Sequence, residues 1–198
     1  MLRVLAILAT FPAGATPYFY CFWRWFDFWR RHVVLTFALM LGMIGGLTAA
    51  VVVLRARLFG PALDMPWPVQ TIGWALIAIT FVLAVVADRQ LGIRVRSFMP
   101  FFEPHGRIEL RTTGAYGVVR HPIYAAGIGY QLGTFLVTGY LAVAIAAVVL
   151  ALGALWFTRQ EERRLASLLA DPADYDRYRA RVPALLPRFL RRRDARRA

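Results

Sequence analysis

Long uncharged apolar stretches alternate with short segments that hold nearly all of the charged residues. A helix needs about 20 apolar residues to cross the hydrocarbon core of a membrane. Four stretches come close to or exceed that length: Val33 to Leu54, Trp67 to Ala87, Pro122 to Thr138 and Leu141 to Thr158. Only Gly139 and Tyr140 separate the last two, which indicates a tight antiparallel hairpin. The pattern predicts an all-α membrane protein with a bundle of four clear transmembrane helices.

The first 32 residues follow a less regular pattern. Val4 to Trp23 is uncharged, but Pro12, Gly14 and Pro17 interrupt it, and it merges into the aromatic stretch YFYCFWRWFDFW. Aromatic residues are typical of the headgroup level of a bilayer. A kinked fifth span, a re-entrant hairpin and an interfacial segment all fit. We expect a retained membrane element, because the small-residue cleavage site of a signal peptide is missing.

Composition supports a membrane protein, and the distribution of charge predicts how the bundle is oriented in the membrane. A hydrophobic fraction of 59% is too high for an ordinary soluble domain of this length. The 24 basic residues are all arginine, and the net charge is +13. Most arginines lie in segment 88–121 or after Thr158, and the two spans between these regions place both on one side. By the positive-inside rule that side is the cytoplasm. The use of arginine for every basic residue suggests a GC-rich bacterial genome. We therefore expect the protein to lie in the bacterial inner membrane.

The polar residues inside the spans are uncharged, which weakens a transporter or channel interpretation, since ion pathways usually need ionisable groups within the bilayer. We expect them to make helix-packing contacts. They are Thr36, Thr48, Gln70, Thr71, Thr80, Gln131 and Thr134. The stretch AGIGYQLG resembles a dinucleotide loop, but it lies within a span, so Gly129 and Gly133 predict close helix packing instead.

RHPIY, residues 120–124, begins the third span. Pro122 suits the first position of a helix, which makes His121 the expected N-cap. The free N–H groups of the first turn, together with the helix dipole and Arg120, would form a site for an anion. The plain alternative is a helix start beside an arginine of the positive-inside kind.

A second charged cluster, WFTRQEERRL, ends the fourth span, and the hairpin brings it next to RHPIY. Glu161 and Glu162 beside an anion site would suit a zwitterionic ligand that carries additional positive charge. The alternative is a solvated helix extension in which Glu161 pairs with Arg164 at i, i+3. The residues by themselves leave both interpretations open.

LRTTGAYGVVRHPIY, followed by RQEERRLASLLADPADYDRYRARVPALLP, resembles the isoprenylcysteine carboxyl methyltransferase family of membrane-embedded enzymes that use S-adenosylmethionine. The resemblance covers about residues 90–190. The phospholipid N-methyltransferases are similar in RHP-x-Y and the acidic pair, whereas the Y-x-x-Y-x-x-RVP tail favours the carboxyl methyltransferase branch. The resemblance implies one methyltransferase domain over 1–198, with a cytoplasmic C-terminal helical segment and cofactor binding within 88–198. A lipophilic acceptor would enter from the bilayer.

The resemblance also implies site residues. Cofactor-binding positions would be Arg120, His121, Pro122, Tyr124, Glu161, Glu162, Tyr175, Tyr178, Arg181, Val182 and Pro183, and catalytic positions Arg159 and Glu162. Arg159 would meet the polar head of the acceptor. Two departures from the family pattern, Ala126 and Pro172 where glycine is usual, could reshape the pocket.

The chemistry that the resemblance implies needs few catalytic groups. A carboxylate acceptor is already ionised at neutral pH and needs no base, and an arginine can hold it with two hydrogen bonds. An amine acceptor would need a base such as Glu162 or a deprotonated tyrosine. Carboxyl O-methylation is the leading hypothesis, phospholipid N-methylation the second, and a non-catalytic membrane adaptor the third.

Other partners are constrained by the same sequence. Cys21 is the lone cysteine and the three histidines are far apart, so we expect no metal. The basic tail RFLRRRDARRA adjoins a membrane bundle, so we expect it to meet anionic lipid headgroups rather than nucleic acid.

Overall fold

The computed structural model describes residues 1–96, 110–169 and 171–187, and within these ranges every regular element is a helix. The chain is an all-α membrane protein. The elements are α1 (Leu2–Gly14), α2 (Thr16–Arg24), α3 (Phe26–Arg31), α4 (Val33–Leu58), α5 (Trp67–Arg96), α6 (Ala115–Val118), α7 (Pro122–Thr138), α8 (Leu141–Leu168) and α9 (Pro172–Arg181).

The four predicted spans begin where the apolar pattern places them, at the first residues of α4, α5, α7 and α8. Three of them continue further than predicted, α4 to Leu58, α5 to Arg96 and α8 to Leu168. The charged run after Thr158 is therefore a continuation of the same helix. A helix that leaves the hydrocarbon core can continue in water when its side chains become polar.

The predicted α7–α8 hairpin turn is confirmed at Gly139. This residue ends α7 in the left-handed conformation, with φ of 67°, which glycine adopts without strain. Its carbonyl accepts a hydrogen bond of 3.0 Å from the Leu63 amide, and a Cβ here would collide with the Leu63 backbone. The turn therefore packs directly against the loop between α4 and α5.

The N-terminal element is helical over nearly all of its length. Within the described part of the chain, four helices are long and apolar enough to cross a membrane: Leu2–Arg24, Val33–Leu58, Trp67–Leu91 and Leu141–Ala166. Only the helical residue Ala15 separates α1 from α2, which fits a kinked span better than a re-entrant hairpin. α7 has 17 residues, about 25 Å, and is shorter than these four.

Contacts along the bundle show the direction of each long helix. α1 and α2 run in the same direction as α8, because Arg3 donates to the Tyr140 hydroxyl at 3.2 Å and the ring of Tyr20 lies 4.8 Å from that of Trp156. α4 runs oppositely, since the Tyr18 hydroxyl donates to the Thr36 carbonyl. The five passes α1–α2, α4, α5, α7 and α8 therefore alternate in direction.

This alternation defines two ends of the bundle. The turn end contains Met1, the loop 59–66 and Gly139. The charged end contains His32, Gln90, RHPIY and the acidic pair. Pro61 and Gly139 lie at the turn end, as the sequence predicts. His105 and the tail from 188 onward, which the sequence assigns to the cytoplasm, lie outside the described residues.

α7 occupies the centre of the bundle and packs most extensively on α5. The predicted role of the glycines in close packing is confirmed. A Cβ at Gly133 would lie 2.8 Å from the Gly73 carbonyl oxygen, and one at Gly129 would collide with Thr80. Small residues at both positions let the two backbones approach closely.

The predicted packing role of the polar residues is correct for Gln131, whose Nε2 donates to the Ala9 carbonyl at 2.7 Å and joins α7 to α1. It is wrong for Thr48 and Thr71, which are exposed. Their hydroxyls donate to backbone carbonyls of their own helices, Thr48 to Ile44 and Thr71 to Trp67. A threonine can satisfy its hydroxyl one turn back, so it needs no partner helix.

Gly133→Ala should destabilise the bundle, because its new methyl group would press on the Gly73 carbonyl and Ile77. Overpacking of this kind costs roughly 1–3 kcal/mol. The matched control is Gly45→Ala on α4, where a Cβ has no atom within 4 Å. Thermal unfolding in detergent should show a lower midpoint for the first variant only. Equal midpoints would contradict the close α5–α7 contact.

The alternating directions predict that the N-terminus lies on the same side of the membrane as the α4–α5 loop and opposite the charged end. With Cys21 replaced by serine, Leu2→Cys and Asp64→Cys should react with a membrane-impermeant maleimide from one side, and Arg163→Cys from the other. Labelling of positions 2 and 163 from the same side would rule out the interpretation that the N-terminal element spans the membrane.

Candidate active site

His121 and Pro122 begin α7 as the sequence predicts, with His121 at the N-cap position and Pro122 as the first helical residue. The His121 side chain does not cap its own helix. Its Nε2 instead lies 2.9 Å from Oε1 of Glu162 on α8. The hairpin therefore joins the two motifs through a direct side-chain contact.

Glu162 is the centre of a buried ionic cluster. Its Oε1 also accepts from Arg120 Nε at 2.9 Å and lies 2.8 Å from Arg120 Nη2. Its Oε2 is 3.9 Å from Arg179 Nε on α9. The side chains of Arg120 and Glu162 are each only 9% exposed, so this pair is shielded from water. Glu162 thus has three cationic or hydrogen-bonding neighbours, two at the start of α7 and one on α9.

The position of Arg120 beside a helix start suggests that it binds an anionic ligand, but its guanidinium contacts groups of the protein. Besides Glu162, its Nη1 donates to the carbonyls of Arg179, at 3.2 Å, and Val182. Because these acceptors occupy the guanidinium, Arg120 connects the start of α7 to the C-terminal segment.

Glu161 is the other half of the acidic pair, and its environment differs. Oε2 is buried without a hydrogen-bond partner among the described residues, and the nearest cationic atom, His121 Nδ1, is 3.8 Å away. Tyr124 interacts with the same carboxylate. Burial of a carboxylate without full compensation is costly. A cationic ligand group at this oxygen would remove that cost.

Arg164, the residue that could have paired with Glu161 on a solvated helix, lies against the N-terminal element. Its guanidinium carbon is 3.8 Å from the centre of the Phe26 ring, and Nη1 is 3.8 Å from Asp27. This contact fixes α3 beside the end of α8, one turn beyond the acidic pair.

The C-terminal segment crosses the start of α7. The Arg120 and His121 amides donate to the carbonyls of Pro183 and Ala184, at 2.8 and 3.0 Å. The Tyr178 hydroxyl donates to the Tyr116 carbonyl at 2.6 Å. The buried side chains of Tyr175, Tyr178 and Val182 pack on Leu110 and Leu165. Residues of the tyrosine-rich motif therefore enclose the ionic cluster.

These tyrosines are suited to donating hydrogen bonds. Burial, opposed in part by Arg120, raises the pKa of Tyr178 to about 12. Burial together with the nearby carboxylates raises the pKa values of Tyr175 and Tyr116 as well. The three phenols are protonated at neutral pH, so none of them fits the tyrosinate base that an amine acceptor would need.

Arg159 and Arg181, which the resemblance places in the site, are both exposed. Arg159 follows Val148, Leu152 and Leu155 on the exposed side of α8. Arg181 donates to the Arg177 carbonyl within α9. Arg159 therefore ends an apolar stripe that faces outward, about one turn before Glu162.

One of the two departures from the pattern that the resemblance implies has a local explanation. Pro172 is the first residue of α9, where proline costs no hydrogen bond. The Asp171 side chain caps that helix by accepting from the Ala173 amide at 2.9 Å. Ala126 is buried in α7.

Sequence reasoning missed several neighbours of the site. Phe22, Trp23 and Phe26 form one buried cluster with Phe157, which Tyr124 contacts from the site. The aromatic composition of this stretch drew attention to these residues, but it predicted a belt at the lipid headgroups and not a buried cluster. Gln90 and Tyr116 support the site through hydrogen bonds. Tyr116 lies in the stretch LRTTGAYGVVRHPIY that carries the resemblance, whereas no sequence pattern indicated Gln90. Among the described residues, no group of three or more His, Cys, Asp or Glu could hold a metal ion.

Comparison with known proteins identifies the family of the chain. The sequence model of the phospholipid methyltransferase family matches residues 69–171. The chain belongs to this family. It is therefore a membrane methyltransferase by family, and the match spans α5 to the end of α8, including the RHPIY and acidic motifs. No curated protein and no solved structure matches the chain significantly.

Proposed function

We propose that this methyltransferase moves a methyl group from S-adenosylmethionine to the carboxylate of an amphiphilic acceptor, at the charged end of the bundle. The observation that carries the proposal is the buried Oε2 of Glu161, which lacks a hydrogen-bond partner among the described residues and lies beside His121. The charged end would face the cytoplasm, where S-adenosylmethionine is available, in line with its many arginines.

The residues around Glu161 fit S-adenosylmethionine. S-adenosylmethionine carries an ammonium and a sulfonium, and it supplies an activated methyl group when it is bound. Glu161 can compensate one of these cationic groups, and the Tyr124 side chain interacts with the same carboxylate. Glu162 is already paired with Arg120 and His121, so it fits the role of holding the site together better than that of contacting the cofactor.

The described residues can align the reactants and exclude water. The cluster of Phe22, Trp23, Phe26 and Phe157 forms an apolar wall next to Tyr124. The C-terminal segment covers the start of α7. For a carboxylate acceptor, one oxygen bonds to the methyl carbon as the carbon–sulfur bond breaks, and no proton has to be removed. Alignment and exclusion of water are then the main contributions of the protein.

Arg159 supports a carboxylate acceptor. It is exposed at the end of the apolar stripe of α8, where a lipid-soluble molecule would lie with its polar head at the membrane surface. A guanidinium can hold a carboxylate with two parallel hydrogen bonds. The tyrosine-rich segment, which follows the family match, packs beside the ionic cluster, and this supports the isoprenylcysteine-type interpretation.

Phospholipid N-methylation is the second candidate, and the family match favours it. An amine acceptor must lose a proton before or during transfer. Glu161 is the carboxylate with an available oxygen for that role, whereas Glu162 is occupied by its partners.

Glu161→Gln should weaken the binding of S-adenosylmethionine by about 10- to 150-fold, since a charge-assisted contact contributes roughly 1.5–3 kcal/mol. Thermal stability should stay equal or rise, because an uncompensated buried charge is removed. Calorimetry on the detergent-solubilised protein would measure both. Arg163→Gln, an exposed change two residues away, is the control and should bind normally. Equal affinity in all three proteins would refute the cofactor site.

Arg159→Lys should lose much of the activity with a carboxylate acceptor, because an ammonium does not reproduce the planar two-point contact. The wild-type rate should be nearly flat from about pH 6 to 8, since a carboxylate with an ordinary pKa near 4 stays ionised over that range. The assay is transfer of labelled methyl groups into a lipid extract, with Arg163→Lys as the control. An active Arg159→Lys protein and a rate that climbs with pH would favour the amine acceptor.

A further inference from the structure

Gln90, near the end of α5, makes a contact that bridges two segments of the charged end. Its Oε1 accepts a hydrogen bond of 3.0 Å from the amide of Ala115, the first residue of α6. The same side chain lies over Gly114, where a Cβ would collide with the Gln90 amide group. Gly114 has φ of 60°, a conformation that glycine adopts easily and other residues rarely do. Gln90 therefore fits this turn closely.

The turn that Gln90 holds is attached to the site by further hydrogen bonds. Ala115 and Tyr116 pack on Ala87 of α5 in a buried cluster. The Tyr116 carbonyl accepts from Tyr178 on α9. α9 leads into Pro183, whose carbonyl accepts from the Arg120 amide. A continuous series of contacts thus leads from Gln90 through the C-terminal segment to the start of α7.

We propose that Gln90 is a positioning residue for the cofactor site. It fixes the 114–118 turn, the turn anchors the C-terminal segment through Tyr178, and that segment holds Arg120 and His121 against Glu162. Gln90 acts through these residues and does not itself touch the cofactor. This inference rests on the proposed function for its effect on cofactor binding, but its effect on the C-terminal segment is independent of that function.

The physical reason is the dependence of α6 on an outside acceptor. The first amides of a helix have no partner within the helix, and α6 has only four residues. Without the Gln90 oxygen, the Ala115 amide loses its acceptor, and a partly buried donor without a partner is costly. The Tyr116 carbonyl, two peptide units further on, would then no longer be held in place for Tyr178.

The test compares Gln90→Met, which keeps the size but removes the acceptor, with Gln90→Glu, which restores an acceptor oxygen. Gln90→Asn, which is one methylene shorter, serves if the methionine variant does not fold. Thr80→Val is the matched control on the same helix, because the Thr80 hydroxyl donates only within α5.

Two readouts on the full-length protein in detergent separate positioning from a general loss of stability. For Gln90→Met, the Kd and KM for S-adenosylmethionine should both rise roughly tenfold while kcat changes little. Hydrogen exchange should accelerate at the amides of Arg120, His121 and Val182, but not in the middle of α7. Gln90→Glu should restore both properties, and Thr80→Val should leave both unchanged.

Unchanged exchange at these amides in Gln90→Met would overturn the inference, and so would a Gln90→Glu protein as impaired as the methionine variant. If wild-type protein binds no S-adenosylmethionine, the proposed function fails, and the exchange measurement still decides whether Gln90 holds the C-terminal segment.

Discussion

The structure at the charged end depends on the buried carboxylate of Glu162. It accepts from Arg120 and His121 at the start of α7, while Arg120 also donates to two carbonyls of the C-terminal segment. Removal of one member of a buried ion pair leaves its partner uncompensated and typically costs about 3–5 kcal/mol. Since this one cluster joins the hairpin to the segment that covers it, the arrangement of the candidate site follows from it.

The cluster can form only because the bundle brings its members to one end. Alternation of the helix directions places the start of α7 beside the end of α8, and Gly73 and Gly133 allow α5 to lie close to α7. Within the membrane, close packing of this kind replaces the hydrophobic effect as the force between helices. The bundle is thus a scaffold that holds ionised groups where its apolar surface ends.

Segments outside the family match complete the site. The match covers residues 69–171, yet the aromatic wall comes from α2 and α3, and the cover comes from α9 and the residues after it. Arg164 joins the two parts, with its guanidinium over Phe26. The shared hairpin would supply the transfer chemistry, and these additions line the space beside it.

Local chemistry determined much of this protein from sequence alone: the starts of four spans, the tight turn at Gly139, the helix start at His121–Pro122 and the close packing at Gly133. Each depends on residues that are neighbours in the chain or on one helix face, so pattern and backbone preference suffice. Tertiary structure decided which partners the charged residues take. Arg120 donates hydrogen bonds to Glu162 and to two backbone carbonyls. One carboxylate oxygen of Glu161 has no hydrogen-bond partner among the described residues, and Arg159 is exposed. The tertiary structure also showed that Gln90 supports the 114–118 turn. A long polar side chain can reach several partners of similar strength, and only the packed positions of distant segments select among them.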